Sequence, residues 1–202
     1  MHISEGVLSA PVLGVGAVLA AAGTAIGLKR LDYDRLMTVA ILSAAFFVAS
    51  LIHVPIGPSS AHLIMNGLLG AILGWAAFPA ILTGLLLQSV LFQYGGLAVL
   101  GVNACDMAYP AVACFYLFRP LLRASGKRRA VGAFCCGFFS VLFSALLTAV
   151  ALEFSDEGFF AAARILVAVH LPIMVAEGLI TAMVVSFLAK TRPELLQAAL
   201  AR

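Results

Sequence analysis

Seven runs of apolar residues, at about 7–28, 36–54, 62–78, 79–93, 107–122, 130–152 and 165–189, share out almost the whole chain. A hydrocarbon core about 30 Å thick is crossed by roughly 20 such residues in a helix. A soluble domain carries about 25% charged residues, whereas this chain of 202 has 10%, with 63% hydrophobic residues. The pattern implies an all-α polytopic membrane protein with seven transmembrane helices. The third and fourth runs are parted only by Phe78-Pro79 and read either as a tight helical hairpin or as one broken helix. No stretch is left over for a soluble domain, so residues 1–202 form a single integral membrane domain.

The basic residues orient these runs. Lys29, Arg30, Arg35, Arg119, Arg123, Lys127, Arg128, Arg129, Lys190, Arg192 and Arg202 fall in one set of loops, and Arg164 alone in the other. Cytoplasmic loops are the basic ones. The C-terminus is therefore expected inside and the N-terminus outside, which an odd number of spans satisfies. Glu5, Glu153, Asp156 and Glu157 then lie on the outer side. The net charge of +3 sits in short loops and does not point to nucleic acid. Residues 1–6 have no basic stretch and include Glu5, so no cleaved signal is expected and Met1 is expected to persist. The outer segment 93–106, QYGGLAVLGVNACD, is too apolar for a free aqueous loop. Irregular backbone at membrane depth must be buried or line a cavity, so this segment is expected to fold back over a site near the outer surface. Cys105, Cys114, Cys135 and Cys136 contain no CxxC pair and read as small core or lipid-facing residues.

The chemistry begins at Met1-His2. A free terminal amine, the deprotonated His2 amide nitrogen and the imidazole Nδ1 can take three corners of a square around a divalent ion. That planar, all-nitrogen set suits Ni(II), Cu(II) or low-spin Co(II), and suits Mg(II) or Ca(II) badly. His62 follows the turn-rich Gly57-Pro58-Ser59-Ser60 and is expected to open a helix, with Ser59 or Ser60 as N-cap. It is the candidate for the fourth nitrogen. Asn66, Asn103 and Asp106 are candidates to hold its second ring nitrogen. His53 and His170, each just before an X-Pro step, read as anchors of helix ends. Glu177, inside the last run, is costly there; it could pair with Gln88, tie the last helix to the site, or act directly. Small residues spaced by four in the first run (Ala17, Ala21, Ala25; Gly23, Gly27) allow close helix approach.

Several absences narrow the function. There is no GxxxxGK[ST], HExxH or GxSxG, and no serine–lysine dyad in register. A membrane protein with an outer nitrogen-rich site and no energy source reads as a binding or transport subunit. Two other readings are a similar component for an organic micronutrient and a membrane-embedded enzyme. The first needs an aromatic-lined outer pocket, and the single tryptophan, Trp75, falls toward the cytoplasmic end. The second needs a nucleophile with a base, and none is evident.

Four blocks carry a resemblance: MHISEGVLS at the start, VPIGPSSAHL at 54–63, LFQYGGLAVLGVNACDM at 91–107 and HLPIMVAEGLITAMVVSFLAKTRPELL at 170–196. The chain is similar along nearly its whole length to the CbiM/NikM family, the substrate-specific membrane components of energy-coupling-factor transporters for cobalt and nickel. The resemblance implies a seven-helix bundle in a bacterial or archaeal cytoplasmic membrane, with the N-terminal loop tucked inward from outside. It implies a metal set of Met1 (amine), His2 (amide and imidazole) and His62, with Co(II) or Ni(II) as transported substrate. It also implies a transmembrane coupling subunit, cytoplasmic ATPase subunits and often a small accessory membrane protein, so the chain itself would be no enzyme. Two departures bear on which ion is carried. Asp106-Met107 stands where relatives often have Asn-Met, and Tyr94 stands where they often have aspartate.

Overall fold

The computed structural model describes residues 3–56, 59–156, 158 and 167–200. Its helices are α1 (Ala10–Lys29), α2 (Leu36–Ser50), α3 (Asn66–Leu73), α4 (Ala77–Phe92), α5 (Leu100–Arg123), α6 (Gly126–Glu153), α7 (Leu171–Thr191) and α8 (Pro193–Leu200). An antiparallel hairpin of β1 (His53–Ile56) and β2 (Ser59–His62) lies between α2 and α3. Its register sets the backbone of His53 opposite that of His62.

Contacts give each helix a direction. α1 and α5 run the same way: Gly16 packs on Val102, the Tyr109 hydroxyl donates to the Leu19 carbonyl at 2.8 Å, and Arg30 donates to the Tyr116 hydroxyl at 2.9 Å. α3 runs with them, since Asn66 reaches the Met107 carbonyl, Gly70 packs on Ala111 and Gly74 faces Phe115. α4 runs the other way, alongside α2. Ser43 donates to the Ala80 carbonyl at 2.7 Å, Gly84 lies on Phe46 and Gln88 donates to the Ser50 hydroxyl. α6 opposes α5, pairing Gly132 with Leu121, Ser140 with the Pro110 carbonyl and Thr148 with Asp106.

Five stretches of the described residues are long and apolar enough to cross a membrane: Ala10–Lys29, Tyr33–Ser50, Asn66–Phe92, Gly126–Glu153 and Leu171–Thr191. The third is not one rod. At Gly74 the backbone turns to φ +57° and ψ −126°, and the chain doubles back, so α3 travels with α5 and α4 with α2. Of the two forms the sequence allowed here, the geometry is a hairpin. Its first arm differs from the expected span at 62–78. Residues 59–62 are strand, the helix starts at Asn66, and its eight residues rise only about 12 Å. All eight are buried. Ser59 and Ser60 therefore cap no helix. The N-cap is Met65, whose φ of +53° is left-handed.

The outer segment also departs from expectation. Only residues 93–99 are irregular, because α5 begins at Leu100, not near 107. Asn103 and Asp106 interrupt the apolar run that a spanning helix shows in the sequence. Folded, they extend the helix because each finds a partner on another element.

At the far end of α1 the arginines gather on helix C-termini, where carbonyls lack partners and carry partial negative charge. Arg35 donates to Ile72, in the last turn of α3, at 3.1 Å, and also to Leu195 within the first turn of α8 at 2.9 Å. Arg119 and Arg123 both donate to the Leu200 carbonyl. Trp75 lies here too, under the Arg30 guanidinium at 5.6 Å.

Candidate metal centre

Met1 and His2 lie outside the described residues; the chain is followed from Ile3. Two hydrogen bonds hold Ile3 to one side chain on α5. The Ile3 N–H donates to Asn103 Oδ1 at 3.0 Å, and Asn103 Nδ2 donates to the Ile3 carbonyl at 3.1 Å. Both residues are buried, where a hydrogen-bonded pair is retained because an unmet polar group is costly. Glu5 adds a second clamp. Its N–H donates to the Gly95 carbonyl at 3.1 Å, and its carboxylate accepts from the Ala98 N–H at 2.9 Å. Further along, the Ser9 N–H donates to the Ser155 hydroxyl. Ile3 and Leu8 then pack with Val99, Val102 and Leu152. Residues 3–9 thus lie across the starts of α5 and the end of α6, with the 93–99 loop bound to them.

His62 ends β2 and is 5% exposed. Its Nδ1 lies 3.0 Å from the Leu63 carbonyl oxygen. A carbonyl only accepts, so Nδ1 is the ring nitrogen that donates to it. A histidine that ligates a metal through one ring nitrogen commonly has the other held by a main-chain oxygen in this way.

The two residues after Leu63 are held from α7. Glu177 Oε1 accepts from the N–H of Ile64 and from that of Met65, the latter at 2.8 Å. A carboxylate at the start of α3 suits the positive end of that helix. α7 can come this close because Gly137 of α6 faces its backbone at Glu177, where a side chain would meet the carbonyl oxygen at 2.6 Å. Glu177 therefore joins α7 to the site and does not pair with Gln88, which bonds to Ser50. The other Glu177 oxygen, Oε2, is buried and has no hydrogen-bond partner among the described residues.

Asn66, Asn103 and Asp106 each bind an element that carries the site. Asn66 donates to the Met107 carbonyl at 3.0 Å and to the Ser144 hydroxyl at 2.9 Å. Asp106 accepts from Thr148 at 3.0 Å, and Asn103 holds Ile3. Asn103 and Met107 are one turn apart on α5, so the start of the chain and the start of α3 hang on neighbouring turns of one helix. Sequence reasoning overlooked Ser140, Ser144 and Thr148. They recur every four residues along α6 and form its polar stripe toward α5 and α3, and that spacing was the available signal. His170 is buried at the head of α7, and His53 is described in its backbone only.

Among the described residues no three His, Cys, Asp or Glu side chains converge as a ligand set. An ion bound beside His62 would draw its other donors from residues outside such a described cluster. The cysteines are unpaired in disulfides and mostly buried. Cys105 and Cys136 donate to the Gly16 and Gly67 carbonyls.

Residues 2–195 match the family model of CbiM, described as the cobalt uptake substrate-specific transmembrane region. A Haemophilus influenzae protein named for metal transport is 45% identical over 97% of both chains. The cobalt transport protein CbiM of Sorangium cellulosum is 30% identical over 97% of this chain and 94% of its own. The fused nickel transport protein NikMN of Rhodobacter capsulatus is 32% identical, over 97% of this chain and 64% of its own length. A crystal structure of a transition metal transporter superposes with a TM-score of 0.82 at 27% identity, over 98% of each chain.

Proposed function

The chain belongs to the CbiM family, and from that premise we propose that it is the ion-capturing membrane component of a cobalt or nickel uptake transporter. Met1, His2 and His62 supply four nitrogens in a plane: the terminal amine, the His2 amide and imidazole, and His62 Nε2. The observation that carries this reading is the anchoring of Ile3 on Asn103, one turn of α5 from the carbonyl that holds Asn66. Two residues precede Ile3, and extended they span at most about 7 Å. His62 adds a buried imidazole whose Nδ1 is held by the Leu63 carbonyl.

The alternating helix directions support seven crossings, with β2 and α3 together completing the third. Arginines at the α8 end support a cytoplasmic C-terminus in a bacterial or archaeal cytoplasmic membrane, all within one integral domain. The energy for uptake comes from partner subunits: a transmembrane coupling protein, ATPases and, in some systems, a small accessory membrane protein. No catalytic role falls to this chain. Trp75 lies past the end of α3 beneath Arg30, so it does not favour an organic ligand beside Ile3 and Asn103.

The test is metal affinity of the purified protein with its native N-terminus. One residue added before Met1, or His62→Ala, is expected to abolish tight Co(II) and Ni(II) binding, and unchanged affinity in both would overturn the reading. Capture releases protons from the amine and the amide, so affinity rises with pH. Isothermal titration between pH 6 and 8 checks the sign, and affinity that is flat or falls with pH contradicts the chelate.

A further inference from the structure

We propose that the groove between α1 and α6 seats a transmembrane helix of a partner protein, apolar along its length except for one hydrogen-bond donor that meets Asp106. This contact is independent of the nitrogen set and stands or falls apart from it.

The groove encloses about 730 Å³. Val15 and Leu19 of α1 form one wall, Leu147 and Val150 of α6 form the other, and Cys105 and Asp106 of α5 lie in the floor. The walls turn outward, with Val15 61% and Val150 45% exposed. Apolar walls are ordinary against lipid, but a carboxylate in the floor is not, since an ionisable group inside a span is costly and kept for a purpose. Asp106 is 6% exposed and lies about 9 Å along α5 from its first residue, Leu100. Among the described residues its carboxylate accepts from the Thr148 hydroxyl alone, through Oδ2, and no arginine, lysine or histidine pairs with it. Oδ1 is left to the groove.

That oxygen selects the occupant. An acyl chain matches the walls but carries no donor, and the hydrocarbon core has no water to supply one. A lipid amine stays at the level of the headgroups, outside that core. A helix brings both parts: apolar side chains for the walls, and a serine, threonine or lysine at the depth of Asp106. Hydrogen bonds of this kind join helices in lipid, and small residues at the contact let backbones approach. Cys105 and Ala151 are the small residues here. The docked helix would also touch the turn of α5 that holds Asn66, because Asp106 directly precedes Met107.

The experiment places benzoylphenylalanine at Val15 or Val150, in the groove, and at Met183 of α7, which is 63% exposed and no part of it. The full chain is irradiated in the membranes of its own host, and the cross-linked peptide is sequenced by mass spectrometry. Both groove positions are expected to join one partner protein, within an apolar segment of about 20 residues that contains a serine, threonine or lysine. Met183 is expected not to reach that segment. Asp106→Leu is expected to lower the yield at least about fivefold. Leu147→Trp fills the groove and leaves Asp106 in place. It is expected to lower the yield as much while keeping the parent's melting temperature, which separates lost docking from lost folding. Three results would overturn the proposal: adducts with lipid alone at both groove positions, a cross-linked segment without a donor, or a yield within about twofold of the parent in either variant.

Discussion

α1 and α5 run side by side in the same direction, yet they are built oppositely. α1 is apolar on every side, and only Gly16, Ala20, Gly23 and Gly27 are buried along its 20 residues. Those four form the edge where it meets α5 and α4. Val12 and Leu13 pack partly against the Ile3 cluster, and most of the remaining residues face outward, with Val18 69% exposed. α5 is less apolar, carries Asn103, Asp106 and Tyr109, and buries most of its length. In water a polar helix faces out, but in lipid the order is reversed. The helix surrounded by hydrocarbon can be uniformly apolar, and the one enclosed by protein can keep polar groups because neighbours satisfy them. α5 is therefore the frame of the site, holding Ile3 through Asn103 and Asn66 through the Met107 carbonyl. α1 supplies a wall.

The comparison can be broken at the enclosed side first. Gly70 of α3 lies directly on the Ala111 backbone of α5, with no room for a Cβ. Gly70→Val is expected to cost about 3 kcal/mol or to prevent folding, because backbone cannot shift as a side chain can. Unfolding in detergent with added SDS measures it, and a loss under about 1 kcal/mol would mean that α3 and α5 are not locked together.

A smaller and more selective effect is expected at Asn103. Asn103→Ala frees both Ile3 hydrogen bonds and leaves them unmet, for a loss of about 1–3 kcal/mol in stability. Metal affinity is expected to fall at least about tenfold as well, because the chain terminus is no longer held over α5. Stability lost without affinity would separate the anchor from the site.

The smallest effect belongs to the outward face of α1. Val18→Ala is expected to change stability by less than about 0.5 kcal/mol and metal affinity not at all, since hydrocarbon replaces one apolar contact by another. A large loss there in the isolated protein would show that the exposed face of α1 is packed against something, and the contrast with α5 would need redrawing.

The uniform helices were legible in the sequence because lipid exposure writes itself as an unbroken apolar run. The expected runs at 7–28, 36–54 and 130–152 lie within a few residues of α1, α2 and α6, and the run at 165–189 covers most of α7. α5 was read short, starting near 107, because Asn103 and Asp106 look like the edge of a span until Ile3 and Thr148 are brought to them. The β1–β2 hairpin was read as a turn leading into a helix at His62. Four-residue strands with no alternation of apolar and polar residues give no period to detect. His62 could be singled out from its neighbours, since histidine after a turn-rich segment is a ligand type in a plausible place. Glu177 could only be flagged as costly.

Taken alone, the order of residues marked this chain as apolar enough for a membrane, showed most of its long helices, and singled out side chains of metal-binding type. Those properties depend on local composition and spacing. Folding decided that α3 turns back at Gly74, that the chain start is tied to Asn103 100 residues away, and that Glu177 meets Ile64 across 113 residues. Such pairings depend on which buried polar groups find each other when helices close around them. No local pattern encodes a partner that lies on another helix.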